Sequence, residues 1–247
     1  MRKSMQWSGL RQYLIIGLLS LLLVSALGCG SGGNLQETAS EAVNITRSAE
    51  SLRSSQIMIQ TFNGETRRSL TQSDSVEPDQ LRTQIIGPEG WREAIIVGNK
   101  CYERDSDKPS WHVCDGVWNL IPLKEELEIL RYLVNLKKLP GEEVNGVDCL
   151  HYSAEVDFDD YVENQKAEMS PEQLSSANFE QMSEWEMEVE LWIARDSHLI
   201  RKLESESRRP ASIERPEGEE EWGTENTVKY FYDFNQPIDI EPPEMEP

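Results

Sequence analysis

The chain is 247 residues long and carries 45 acidic residues against 24 basic ones, with a formal net charge of −21. A surface of that sign repels phosphate backbones and anionic headgroups, which excludes nucleic-acid binding and makes the acidity chiefly a solubility device. With 38% hydrophobic residues and no internal repeat, the length beyond the N-terminal segment suits one ordinary domain.

The opening MRKSMQWSGLRQYLIIGLLSLLLVSALGCGSGG sets Arg2, Lys3 and Arg11 ahead of an apolar run from Leu14 to Leu27. That order is the anatomy of an export signal. Gly17, Ser20 and Ser25 interrupt the run, which falls short of the ~20 apolar residues of a spanning helix, so cleavage is expected rather than retention. The residues Ala26-Leu27-Gly28-Cys29 resemble a bacterial lipobox. The resemblance implies a signal peptide over 1–28, a diacylglycerol on the Cys29 thiol and attachment at the extracytoplasmic face of the cell membrane. The motif usually has Leu three positions before the cysteine and Ala26 stands there, so the same residues also fit ordinary small-x-small cleavage. Gly30-Ser31-Gly32-Gly33-Asn34 reads as a flexible tether, taken here as 29–36. Acyl chains contribute ~0.8 kcal/mol per buried CH₂ and two hold a protein to a bilayer stably, so the folded part needs no membrane-binding surface of its own.

Residues 37–50 read as a short helix. The chain then alternates, with Ile57 and Ile59 against Met58 and Gln60 in SQIMIQTF, a half-buried strand ending near the turn dipeptide Asn63-Gly64. RRSLTQ, QLRTQIIG, EAIIVGNK, KCYERD and SWHVCD follow at close spacing, as in an antiparallel meander. The last two flank Asp105-Ser106-Asp107-Lys108-Pro109, a stretch of turn chemistry. Folded as a hairpin, 101 faces 114, and a Cys101–Cys114 bridge closing a loop of about 15 residues is worth roughly 3 kcal/mol in the chain-entropy model. An export compartment permits this bridge; two reduced thiols, or a bridge from either residue to Cys149, are the alternatives.

From Leu123 to Leu136 the apolar residues Leu127, Leu130 and Val134 recur at spacings of three and four, which predicts an amphipathic helix closed by Pro140-Gly141. A strand follows in GVDCLHYSAEVDF, with Leu150, Tyr152, Ala154 and Val156 on one face. Residues 158–183 read as polar helix, broken at Ser170-Pro171. The cleanest alternation puts Trp185, Met187, Val189, Leu191 and Ile193 on a core face and Glu186, Glu188 and Glu190 on a water face. A turn through Ala194-Arg195-Asp196-Ser197 leads to LIRKLESES. A charged, Pro-rich loop spans 208–223, and the last strand, TVKYFYDF, precedes an acidic tail at 241–247.

Nine or ten strands with two or three helices on one side make an α+β class. The helix–meander–helix order, with "VNGVDCLHYSAEVDFDDY", "WEMEVELWIARDSHLIRKLESE" and "TVKYFYDFNQPIDIEPPE", resembles the LolA/LppX-like envelope lipoproteins, of the LppX/LprG type. The resemblance covers roughly 36–243, and its most specific pieces are the hairpin "LWIARDSHLIRKLE" and the closing "YFYDFNQPIDIEPPE". It implies a domain over 37–240 in which a strongly curved antiparallel sheet, a half-open barrel, has helices covering its concave side. A lipid or acyl chain would sit between them.

Other chemistry is thin. His112, His151 and His198 fall on three separate expected strands without a His-x-x-x-His, Cys-x-x-Cys or Glu-x-x-His spacing, so no metal or cofactor is expected. No Gly-x-Ser-x-Gly elbow or phosphate-cradling glycine loop occurs, and enzyme function is not expected. The expected function is lipid or other hydrophobic-ligand binding between the sheet and the 123–136 helix, for transport or sensing in the envelope. The candidate cavity residues are Ile57, Ile59, Leu127, Leu130, Val134, Leu150, Tyr152, Met187, Val189, Leu191 and Tyr230. Each of them, taken singly, is more simply a core residue. The alternative is a structural or signalling ectodomain with a filled core, meeting an envelope protein partner.

Overall fold

The computed structural model describes residues 35–62, 64–114, 127–168, 182–210 and 222–245. The expected signal, Cys29 and residues 30–34 of the tether lie outside them. Contacts gather Gln36–Pro247 into one compact unit. Helix α1 is Leu35–Arg47; the strands are β1 Ser51–Phe62, β2 Glu65–Val76, β3 Gln80–Gly87, β4 Gly90–Val97, β5 Lys100–Asp105 and β6 His112–Val113. A 3-10 helix, Leu127–Tyr132, leads into β7 Leu133–Val144 and β8 Val147–Val156. Helix α2, Phe158–Glu168, then precedes β9 Glu186–Ala194, β10 Ile200–Pro210 and β11 Trp222–Tyr232. The described strands form one antiparallel sheet in the order β6-β5-β4-β3-β2-β1-β11-β10-β9-β8-β7.

Two meanders therefore meet where the first and last strands pair, with Ile57 opposite Val228 and Ser54 opposite Phe231. Residues directly opposite one another share a face of the pleat, so the register assigns every side chain. Both α-helices and the 3-10 helix lie on one face. On α1, Ala39, Ala42, Val43 and Thr46 form the buried stripe, spaced as 3.6-residue turns require. The Thr46 hydroxyl accepts from the Ile200 N–H at 2.9 Å, docking α1 on the sheet. The Asp157 carboxylate caps α2 by accepting from the Asp160 N–H at 3.0 Å, where acidic residues favour a helix start.

The expected helix over 123–136 is corrected. Its first four residues lie outside the described residues. Leu127 and Leu130, three apart, belong to the 3-10 helix, and Leu133–Leu136 belong to β7. The cause is Asn145-Gly146, with φ of 51° and 82°, a tight hairpin turn that pairs Val144 with Val147 and draws the preceding twelve residues into a strand. Pro140 and Gly141 lie inside β7 at a register break, which is tolerated because β7 is an edge strand. The 158–183 helix extends to Glu168, with 169–181 outside the described residues. The charged 208–223 stretch supplies the end of β10 and the start of β11, with 211–221 outside them.

Candidate lipid-binding face

Beneath α1 and the 3-10 helix the core is packed. Leu127, Leu130, Leu133, Val189, Leu191, Ile193 and Phe231 are each at most 2% exposed. Arg47 of α1 pairs with Glu128 of the 3-10 helix, and Glu128 also holds Arg131 at 2.6 Å, which clamps the two helices together. Phe158 meets Trp185 edge-on at 5.7 Å and Tyr161 meets Tyr132 at 5.4 Å, fixing α2 over the other end. The cleft among Thr46, Ala49, Leu52, Ser75 and Leu127 holds about 10 Å³, enough for about one water.

Farther along the strands the same face stays buried at Val189, Ala154 and Thr227 and is half-open only at positions such as Met58 and Met187. One register row across it reads Ser69, Met58, Thr227, Ser205, Val189 and Ala154, small side chains except for Met58. The adjoining row reads Thr71, Gln56, Lys229, Leu203, Leu191 and Tyr152, polar toward β2 and apolar toward β8. Met58, Phe62, Ile85, Trp185 and Met187 are only half-buried here, so apolar surface remains accessible on the helix-bearing side. Lys229 is 5% exposed, a buried cation within this face. Burial of its phenol pushes the Tyr152 pKa up, so that hydroxyl stays protonated.

The candidate residues divide between the two faces. Leu127, Leu130, Leu150, Tyr152, Met187, Val189 and Leu191 lie on the helix-bearing side. Ile57, Ile59, Val134 and Tyr230 do not: their register partners Leu70, Arg68, Glu155 and Lys202 put them on the opposite face. These four cannot line a cavity beneath the helices. The alternation of β1 was legible, but its hydrophobic phase was not, because the inward positions Leu52, Ser54, Gln56 and Met58 are half polar while the outward ones include Ile57 and Ile59.

The opposite face carries features that the sequence reading missed. Trp192 sits among the water-side glutamates of β9 yet is 2% exposed, packed with Val144 and Cys149 and flanked by Val147 and Tyr230. His151 stacks on it at 4.1 Å, Lys202 lies 3.9 Å from its ring centre, and its indole N–H donates to Glu142 at 3.2 Å. Burial pushes the free Cys149 thiol above its ordinary pKa, which makes it a packing residue. Beside this cluster an open groove of about 280 Å³ is lined by Glu155, Glu188, Glu190, Glu204, Glu206 and Lys137, among others, too acidic for an acyl chain.

Cys101 and Cys114 form a disulfide with Cα atoms 5.4 Å apart, at the β5–β6 hairpin. The histidines go to three different carboxylates: His112 to Glu103 at 3.4 Å, His151 to Glu190 at 2.8 Å and His198 to Glu41 at 3.5 Å. Among the described residues no three ligands gather as a metal site, and no helix is long and apolar enough to cross a membrane.

No protein-family model matches the chain, and no curated protein is similar to it in sequence. Solved structures are similar in fold. Lipoprotein LppX from Mycobacterium tuberculosis superposes with a TM-score of 0.51 at 12% identity, covering 85% of this chain and 100% of its own. LprF from Mycobacterium bovis gives 0.52 at 9% identity, covering 87% and 99%. The eleven-stranded open sheet with its few helices is thus the LolA/LppX-like half-barrel fold.

Proposed function

We propose that this chain is a membrane-anchored extracytoplasmic lipoprotein, tethered through diacylglycerol on Cys29, that binds a lipid or other hydrophobic ligand on the helix-bearing face of its half-barrel. The role is transport or sensing in the envelope, without catalysis. The observation that carries the reading is the accessible apolar surface at Met58, Phe62, Ile85, Trp185 and Met187, on the side of the sheet that the helices occupy. Burying such surface is worth ~25 cal/mol per Å². The row from Thr71 through Lys229 to Tyr152 favours an amphiphile, with its apolar part toward β8–β10 and its polar part toward Gln56 and Lys229. The fold shared with LppX and LprF supports the same role.

A structural or signalling ectodomain is the second reading, favoured by the tight packing under α1 and the 3-10 helix. Native mass spectrometry of the mature protein purified from bacterial membranes decides between them. A lipid co-purifying in fixed ratio, and lost in a Met187→Glu variant that still folds, is expected. A ligand-free wild type refutes the binding role. The anchor has a separate test: Cys29→Ala should abolish labelled-palmitate incorporation, and retained labelling would refute it.

A further inference from the structure

The face of β1–β5 turned away from the helices is apolar where a water-facing sheet should be polar. Val228, Ile57, Leu70, Ile86 and Trp91 stand directly opposite one another across β11, β1, β2, β3 and β4. With strands about 4.8 Å apart, the row is about 19 Å long. Ile86 is 47% exposed, Leu70 36%, and Ile59 beside them 37%. Single exposed aliphatics are ordinary; an unbroken row of them marks a contact surface.

The charge on this face runs against the rest of the chain. It carries Arg53, Arg68, Arg82, Lys100 and Arg104 against Asp74 and Glu93. Both acids are already engaged, Asp74 by Arg53 at 3.2 Å and Glu93 by Arg104 at 2.7 Å. Arg68, Arg82 and Lys100 form no ion pair with a described residue. Arg104 also lies 5.7 Å from the Trp91 ring centre and 4.4 Å from that of Trp111. An aliphatic strip edged by tryptophan and unneutralised cations is the composition that settles at the headgroup level of a bilayer.

We infer that this face docks on an anionic lipid bilayer, with the Ile57–Leu70–Ile86–Trp91 row at the acyl boundary and Arg68, Arg82 and Lys100 on the lipid phosphates. The net negative charge does not prevent this, because charges beyond a Debye length of ~8 Å are screened. The acidic groove spans β7 to β11, and its glutamates stand on β10, β9 and β8, three to five strand steps from β2. At about 20–25° of twist per step the sheet normal at those glutamates has turned by roughly 60–125°, so the acidic half looks away from a plane touching β2 and β3. The inference needs neither the acyl anchor nor the lipid-binding face, since it concerns the other side of the sheet.

The test is sedimentation of the compact unit Gln36–Pro247, which lacks Cys29 and the N-terminal apolar segment, with two kinds of vesicle. One is pure phosphatidylcholine; the other contains about 30% phosphatidylglycerol, which supplies the anionic surface. Binding to the anionic vesicles only is expected, weakened about fivefold by Arg68→Gln or Lys100→Gln and abolished by Ile86→Asp. Glu206→Gln, in the acidic groove, should change nothing. Urea midpoints of the variants establish that they fold. Absent binding, equal binding to both vesicles, or a Glu206→Gln effect as large as that of Arg68→Gln overturns the proposal. So does an oligomer of the free unit that Ile86→Asp dissociates, which would make a second copy the occupant.

Discussion

Replacing Trp192 tests whether the outer face of the half-barrel has a core of its own. The ring is 2% exposed and lies between His151 and Lys202, with Val144 and Cys149 against it. Truncating a buried tryptophan to alanine costs about 3–5 kcal/mol. Trp192→Phe keeps most of the packing but gives up the hydrogen bond to the exposed Glu142 and part of the attraction to Lys202, about 1 kcal/mol together. A tryptophan on a water face, where the glutamate alternation of β9 would put it, predicts changes within about 0.5 kcal/mol for both. Urea unfolding followed by far-UV circular dichroism, with an unchanged m-value, measures the difference. A Trp192→Ala loss under about 1 kcal/mol would refute the outer core.

Other consequences are open to direct measurement. Replacing Cys101 and Cys114 together by serine should cost about 3 kcal/mol, read from urea midpoints, since the bridge spans 13 positions of sequence. Asp105 accepts backbone N–H bonds from Lys108 and Asp107 at 2.7 and 2.8 Å, which holds its carboxyl below the usual 3.8. Its stabilising contribution is complete above pH 3.8 and disappears as the pH falls through the folded value; a carboxyl NMR titration midpoint at or above 3.8 would contradict the turn. Gly141→Ala should destabilise by about 1–3 kcal/mol, because a Cβ there would sit 2.8 Å from the Cys149 carbonyl oxygen, backbone that cannot swing aside. A neutral thermal shift for that variant would mean that β7 relaxes.

The strands most legible in the sequence are those with one apolar and one polar side: β9 alternates from Met187 to Ile193, and QLRTQIIG and KCYERD match β3 and β5 end to end. The pairing of Cys101 with Cys114 followed from the turn chemistry between them. The 123–136 stretch misled because Leu127, Leu130 and Val134 satisfy a helical period, while the stronger signal, Asn145-Gly146 flanked by Val144 and Val147, lay downstream. The cavity assignment for β1 and β11, Ile57, Ile59 and Tyr230, failed for another reason. On those strands apolar residues stand on both sides, Ile57, Ile59, Val228 and Tyr230 outward and Leu52, Met58, Phe62 and Phe231 inward, where Ser54, Gln56, Thr227 and Lys229 alternate with them. Hydrophobic phase alone cannot choose the inward face when both faces carry apolar groups. No single-chain pattern announces that Trp192 is covered, because its cover is built from β7 and β8 residues some 40 positions away.

A sheet that does not close leaves two borders whose backbone amides could recruit foreign strands into a growing fibre. One border here is only two residues long, His112–Val113, and is stapled to its neighbour by the disulfide. The other, β7, is interrupted by two bulges and by Pro140, which has no amide hydrogen to offer. Both margins thus present a poor template, and a half-barrel can stay agape at high concentration without polymerising.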